Sequence, residues 1–466
     1  MTTAADLCML SLEDIAAEIA SKRISPVEVT EAVLARVEEL NPKLNAYMTL
    51  TAEQAIASAR IAENDIAAGT YRGALHGVPV GIKDLFATEG VRTTAGSKIL
   101  SDWCPDHDAT VVAKLNEAGA ISVGKLGMHE WAFGATSDNV HYGTIRNPWD
   151  TDRVPGGSSG GSGVATAAGM AFATLGSDTG GSIRTPASLC GCVGMMPTYG
   201  RASLFGAVPV SWSLDHPGPL TRTVRDAAIV LQAISGHDPL DPSTERVPVP
   251  DWMKNIERGP KGLRIGVPRQ YFWKDVDPEI EALVWTAINA LSEAGAVVTE
   301  VDLPDVDAYA AAIGSVMLVE AAAYHADNLA ARRQDYGTQV AALLDIGGRI
   351  SATSYAMGLR LMQHARLGAA DAWLEGIDVL AMPTTPVQTP TIEESKKQDP
   401  SAALARNTSV FDFTGQPAIS VPCGHTSGNM PAGIMFAGRL WDEASVLWAG
   451  HAYEQVRGPF PAPPLS

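Results

Sequence analysis

Residues 154–187 read VPGGSSGGSGVATAAGMAFATLGSDTGGSIRTPA, two glycine–serine clusters (Gly156–Gly163 and Gly180–Ser182) on either side of an apolar, alanine-rich segment. Few folds can use such a stretch. Glycine adopts backbone conformations that other residues avoid, so its N–H groups can point at a ligand. Serine hydroxyls become nucleophiles when a neighbour takes the proton. Between the clusters the pattern predicts a helix over Gly163–Gly169 and a short buried strand over Met170–Leu175. Cluster, helix, strand and cluster would bring two serine-bearing loops to one end of a sheet.

The flanking chain reads as layers around that sheet. Ser11-Leu-Glu-Asp14 resembles a capping box, with Ile15 and Ile19 following at helical spacing. Ser25-Pro26 opens a second helix, its apolar face Val29, Val33, Val37 and Leu40, until Asn41-Pro42 is expected to stop it. A third helix is expected from Thr51 to about Ala68. Val78, Val80 and Ile82 then alternate as in a strand and deliver Lys83 at its end. A helix over Asp108–Gly119 and a strand over Ile121–Val123 come next, and Met128–Asp152 reads as a pocket-lining loop. After Ser182 come a helix, a loop over Pro197–Pro219 and a helix from Val224 to about Ile234. Leu263–Val267, Glu279–Ala294 and Ala296–Val301 form a strand–helix–strand unit typical of α/β layers. Residues from about 307 to 373 read as helical with a break at Gly347-Gly348; Asp378–Ala381 is a strand, and Phe413–Gly424 brings another back to the core. No repeat interrupts this, so a single α/β domain over about 5–460 is expected. Its parts are a helical layer (about 10–68), a catalytic core (about 75–235) and further sheet and helices (about 260–455).

Composition limits the function classes. Hydrophobic residues make up 46% and charged ones 18%, enough apolar material for a large core. Lys and Arg number 34 against 52 Asp and Glu, a net charge of −18 that argues against a large nucleic-acid footprint while leaving tRNA contact through a partner subunit open. Cys190-Gly-Cys192 lacks the two-residue spacer of a metal or redox pair, so the five cysteines read as buried free thiols. No basic leader with an apolar run opens the chain, and no stretch is expected to reach the roughly 20 apolar residues that span a bilayer. A cytoplasmic protein without membrane contact is expected.

Several chemistries compete for the central stretch. A lysine ending an apolar strand is either a buried base, its pKa lowered by burial, or a strand-end cation reaching solvent. Gly180-Gly-Ser182 at a loop–helix junction is either an oxyanion-binding turn or a helix cap. Gly157-Ser-Ser159-Gly-Gly161 satisfies the nucleophile-elbow pattern G-x-S-x-G, but Asn147–Pro155 before it cannot be the strand that motif requires. No Gly-Lys-Ser/Thr follows to make a phosphate loop. His76, His129, His141 and His216 show no zinc-ligand spacing and read as pocket or structural residues.

Taken together, Gly156-Gly-Ser-Ser-Gly-Gly161, Gly176-Ser-Asp-Thr-Gly-Gly-Ser-Ile-Arg184 and Lys83 in Val-Gly-Ile-Lys-Asp resemble the amidase signature family. The separations agree too: 158 − 83 = 75 and 182 − 158 = 24. The resemblance implies a central mixed β-sheet covered by helices on both faces. It implies Ser182 as nucleophile, Ser158 as proton relay and Lys83 as base. Backbone N–H groups of Thr179, Gly180, Gly181 and Ser182 would form the oxyanion hole, with Ser159, Asp178 and Arg184 in support. No metal or organic cofactor is implied, and a homodimer is usual in the family.

Substrate expectations divide. Trp131, Phe133, Tyr142 and Trp212, as pocket residues, favour small apolar or aryl amides, and with them esters or carbamates (a urethanase-like activity). A free-standing amidase acting on a small-molecule amide, with no direct nucleic-acid contact, is therefore the leading expectation. The alternatives are a glutaminase subunit of a tRNA-dependent amidotransferase, which Tyr199–Gly206 and Asp215–Arg222 also resemble, and an allophanate-type hydrolase. A glutaminase would need charged groups for the ends of glutamine, with Arg366 a candidate.

Overall fold

A computed structural model describes residues 4–465. Among these, thirteen strands form along the chain: β1 Tyr47–Leu50, β2 Pro79–Lys83, β3 Ile121–Leu126, β4 Asp138–Asn139, β5 Gly143–Thr144, β6 Ala173–Asp178, β7 Val193–Met196, β8 His216–Thr221, β9 Arg264–Pro268, β10 Val297–Val301, β11 Val379–Pro383, β12 Ala418–His425 and β13 Pro431–Ala437. Eleven make one sheet in the order β1-β3-β2-β6-β8-β7-β12-β13-β11-β9-β10, and β4 and β5 form a small separate ladder. The sheet is mixed. β2 runs parallel to β3 and β6, β9 parallel to β10 and β11, and the strands between pair antiparallel. Helices flank it, and the whole is a single α/β domain built around one large sheet.

The central strands are buried along their whole length, which is why they are apolar on both faces and not merely alternating. Their register brings two polar residues together. Val80 lies opposite Ala173 and Ile82 opposite Leu175, so Lys83 and Ser177 leave the sheet at the same edge. At the N-terminus, Ser25 and Glu28 form a reciprocal capping box and Pro26 occupies the first turn of the helix Pro26–Leu44.

Several boundaries differ from the sequence reading. Asn41-Pro42 does not stop the second helix; Pro42 sits in its last turn, and the chain leaves through Asn45 at φ 54°. The helix of the central stretch is Gly160–Ala167, because Ser159 already begins the turn, and its strand is β6, ending at Asp178. The loop expected over Pro197–Pro219 ends in β8, which is buried between β6 and β7 and so lacks alternation. Phe413 belongs to a helix, Ser409–Thr414, and the returning strand begins only at Ala418. The edge strand β1, β7, β13 and the helix Glu443–Arg457 carry no expectation from the sequence.

Four cysteines are buried thiols, but Cys104 is exposed. Against the expectation, the helical run Val306–Asp335 is long and apolar enough to cross a membrane by length and composition, at mean hydropathy 1.4, because alanines fill it. One of its faces packs into the fold through Tyr309, Ile313 and Val316.

Phe172, fully buried, leads into β6: its N–H donates to Pro79 O at 3.2 Å and the Arg222 guanidinium lies 5.4 Å from its ring centroid. Phe172→Ala is expected to destabilise the chain by about 3–5 kcal/mol, the cost of a core cavity. A lower urea midpoint with an unchanged slope is the expected readout, and an unchanged midpoint would show that β6 is not held from this side.

Candidate active site

Lys83 is fully buried at the end of β2. Its Nζ donates to the hydroxyls of Ser158 at 2.7 Å, Ser159 at 2.8 Å and Ser177 at 2.8 Å. Ser159 Oγ in turn donates to Ser177 O at 3.1 Å, which commits its proton and makes it an acceptor toward Lys83. Burial pushes the Lys83 amine down to about 7, against the opposing fields of Asp178 and Asp215. A neutral amine in that nest keeps one lone pair, and Ser158 Oγ is placed to give it a proton. Ser158 follows a cis peptide bond from Gly157, and Ser159 N–H donates to Ser182 O at 3.2 Å, tying the two serine loops together.

The loop carrying Ser182 is held by a buried charge cluster. The Asp178 carboxylate accepts from the N–H groups of Gly181, Ile183 (3.1 Å) and Arg184 (3.3 Å). Arg184 Nε lies 2.9 Å from Asp178, its Nη2 2.6 Å from Asp412, and its Nη1 donates to Thr408 O at 2.8 Å. Burial alone would raise Asp178; the charge and hydrogen bonds of Arg184 overcome it and hold the carboxyl well below its usual range. Asp412 goes the other way, raised by burial and by the Asp178 charge. Gly181 stands at φ 128°, and a Cβ there would come within 2.1 Å of Thr408 Oγ1, so only glycine fits.

Of the four backbone N–H groups expected to form an oxyanion hole, that of Gly181 is committed to Asp178. Thr179 is itself fixed from the side, its Oγ1 donating to Asp215 at 2.6 Å. Burial lifts the Asp215 carboxyl to about 7, although Thr179, Val210 and Ser211 all donate to it.

Ser182 is half-buried and opens, with Thr179, Gly180 and Gly181, onto a cavity of about 460 Å³. Phe133, Ile313, Met317, Leu318 and Leu343 give it an apolar wall, and the charged side chains on that wall are Asp399 and Arg406. Of the four aromatics expected to line it, only Phe133 does. Trp131 is core, its ring centroid 4.5 Å from His325 and 6.2 Å from Tyr336. Tyr142 turns its hydroxyl to Ser97 O at 3.2 Å, and Trp212 is 45% exposed away from the wall. Arg366 is not available to a ligand either: it donates to the carbonyls of Phe413, Ser213 and Asp412 and stacks over Tyr199. Ser177, Asp215, Thr408 and Asp412 are site residues that the sequence reading does not single out. Ser177 lies inside the motif, one residue before Asp178, but only the β2–β6 register turns it toward Lys83. The other three carry no local signal.

An amine buried among serine hydroxyls, beneath a half-buried serine that opens on a cavity, is the set of groups that hydrolysis of an acyl bond calls for. A family model described as Amidase matches residues 28–447, and the chain belongs to this amidase signature family, whose chemistry is hydrolysis of C–N amide bonds. The A subunit of the glutamyl-tRNA(Gln) amidotransferase of Moorella thermoacetica is 42% identical over 474 residues, 97% of each chain. Among solved structures, the corresponding A subunit from Thermotoga maritima matches with a TM-score of 0.83 at 33% identity over 99% of each chain. A chain from a vestigial protein complex, described as revealing the origins of an s-triazine catabolic enzyme, matches with a TM-score of 0.91 at 34% identity, covering 97% of this chain and all of that one.

These relatives correct the leading expectation. A free-standing amidase for apolar, aryl or carbamate substrates, working as a homodimer apart from nucleic acid, is overturned by full-length relatives named as one component of a tRNA-linked amidotransferase. The aromatic pocket on which that expectation leaned is also not there, since three of its four residues point elsewhere.

With neutral Lys83 as the base that the family resemblance implies, amide hydrolysis is expected to be lost at low pH and to rise through about pH 7, with a limb that belongs jointly to Lys83 and Asp215. Asp215→Asn removes an anion that favours the charged amine, so the limb should move to lower pH as the rate falls with the loosened Thr179. A limb that stays in place would show that Lys83 does not feel Asp215.

Proposed function

We propose that this chain is the ammonia-releasing component of a tRNA-dependent amidotransferase, hydrolysing the side-chain carboxamide of glutamine in the cytoplasm. The 42% identity to the Moorella thermoacetica A subunit along nearly the whole of both chains carries this reading. The cavity supports it. At about 460 Å³ it suits a small ligand, and its wall sets one carboxylate and one guanidinium, Asp399 and Arg406, in an otherwise largely apolar surface. Glutamine has an ammonium and a carboxylate at the end remote from its amide. Arg406 Nη2 is buried with no partner among the described residues, and Nε makes one long bond to Asn407 Oδ1 at 3.3 Å, so the fork has donors to give a carboxylate.

In this reading neutral Lys83 takes a proton from Ser158, which takes one from Ser182 as Ser182 Oγ attacks the carboxamide carbon. The tetrahedral oxyanion rests on the N–H groups of Thr179, Gly180 and Ser182. The proton returns along the serines to the leaving nitrogen, and ammonia departs for use by the partner chains. Water, activated by the same relay, cleaves the acyl-enzyme and frees the acid. Asp178 and Arg184 hold the loop, and Ser159 keeps Lys83 in line.

Ammonia release from glutamine, measured for the chain alone and with its partner chains and glutamylated tRNA, tests the reading. Ser182→Ala is expected to lower it by about a thousandfold or more. Arg406→Gln should raise KM for glutamine by roughly tenfold, with kcat within about twofold, the mark of a binding group. Turnover of neutral aliphatic or aryl amides with none of glutamine, alone or assembled, would sink the glutaminase reading.

A further inference from the structure

Glu320 is a carboxylate buried completely in the middle of the helix Val306–Arg332. Such a group is expensive to bury unless its oxygens are satisfied. Here they are: Oε2 accepts from Ser211 Oγ at 2.6 Å and Ser213 N–H at 3.1 Å, Oε1 from Ser213 Oγ at 2.6 Å and Tyr355 Oη at 3.0 Å. Three of the four donors belong to one turn, residues 211–213.

That turn leads to the active site. Asp215 closes it by accepting from the N–H groups of Val210 at 2.9 Å and Ser211 at 3.2 Å, and the same carboxylate takes the hydroxyl of Thr179. A continuous run of hydrogen bonds therefore joins Glu320, Ser211, Asp215 and Thr179. The helix that carries Glu320 also forms cavity wall through Ala310, Gly314, Met317 and Leu318. Cavity-wall residues and the residue clamping the 211–215 turn thus share one helix.

We propose that Glu320 is a positioning residue: it fixes the 211–215 turn to the substrate-facing helix and, through Asp215, sets where Thr179 stands in the oxyanion loop. A substrate seated against Met317 and Leu318 then bears on the helix that holds the loop in register. The role concerns amide hydrolysis in general and does not depend on glutamine being the amide.

Charge gives it a second signature. Glu320 faces Ser211, Ser213 and Tyr355, with Arg366 and Asp215 the nearest charged groups across the turn, and Asp215 in turn faces Lys83 beside Asp178. The Glu320 anion helps keep the Asp215 carboxyl high. Without it Asp215 ionises at lower pH, its charge favours the protonated Lys83, and the activity limb moves to higher pH. That is opposite to the shift expected for Asp215→Asn.

The test is a double-mutant cycle between Glu320→Gln and Thr179→Val, read as kcat and KM on whichever amide the chain turns over and as the rate at which a fluorophosphonate probe labels Ser182. Labelling needs the oxyanion loop but no knowledge of the substrate. Glu320→Gln is expected to lower kcat and labelling by roughly tenfold, with KM within about twofold and the limb displaced upward. Compared well above the pH limb, where the charge effect on Lys83 has vanished, it should add little in the Thr179→Val background, because there the two act through one path. Additive losses, an unmoved limb, or a rise in KM with kcat and labelling intact would overturn the proposal. Should Glu320→Gln fail to fold, Ser211→Ala breaks the same link while leaving Glu320 with Ser213 and Tyr355, and must show the same non-additivity with Thr179→Val.

Discussion

Removing one lysine from water organises the centre of this molecule. Among the described residues Lys83 has no carboxylate in contact with it, only hydroxyls and a carbonyl, so nothing adjacent compensates a full positive charge. Desolvation brings the amine to about 7, and that one shift turns an ordinary cation into a base at neutral pH. The sheet makes the burial possible. β2 has neighbours on both sides, its side chains are covered on both faces, and β6 brings Ser177 to the same level.

The second constraint acts on the loop that carries Ser182. Backbone N–H groups stabilise an oxyanion only if they already point at it. Asp178 takes three N–H groups of its own loop, Arg184 grips Asp178, and Asp412 holds Arg184 from the far end of the chain. Burying three ionisable groups together is stabilising only when every partner is present, and here the cluster fixes a conformation more than it adds stability. Asp215 supplies the remaining side of the frame through Thr179.

Reaction and substrate are therefore set by different parts of the molecule. The serine–lysine nest is closed, polar and local to β2, β6 and the two glycine–serine loops. The cavity above it is built by the helix Val306–Arg332, the segment 399–409 and the loop at Phe133, largely remote in sequence from the motif. A chain can keep the chemistry while changing what it accepts, so residues that identify the nest say little about the substrate. Aromatic side chains near the motif suggest an aryl pocket, whereas Trp131 fills core and Trp212 faces outward.

The sequence by itself determined the α/β class, through strand alternation and the strand–helix–strand pattern, and its two glycine–serine clusters with Lys83 at fixed separations carry the family resemblance that points to Ser158, Ser159 and Ser182. The resemblance also implied supporting roles for Asp178 and Arg184, and the two do pair across their loop. Helix and strand ends slipped where local rules were outvoted, as at Pro42, where the helix was nearly finished, and at β8, where burial on both faces erased alternation. Only the tertiary structure decided that Ser177 joins Lys83, that Gly181 N–H is spent on Asp178, and that Asp412, Asp215 and Glu320 brace the loop. It alone placed Arg406 on the cavity wall and Arg366 off it. The physical reason is common to all of these: each depends on which distant segments the sheet order brings together, and no spacing along the chain encodes a contact between residues 184 and 412.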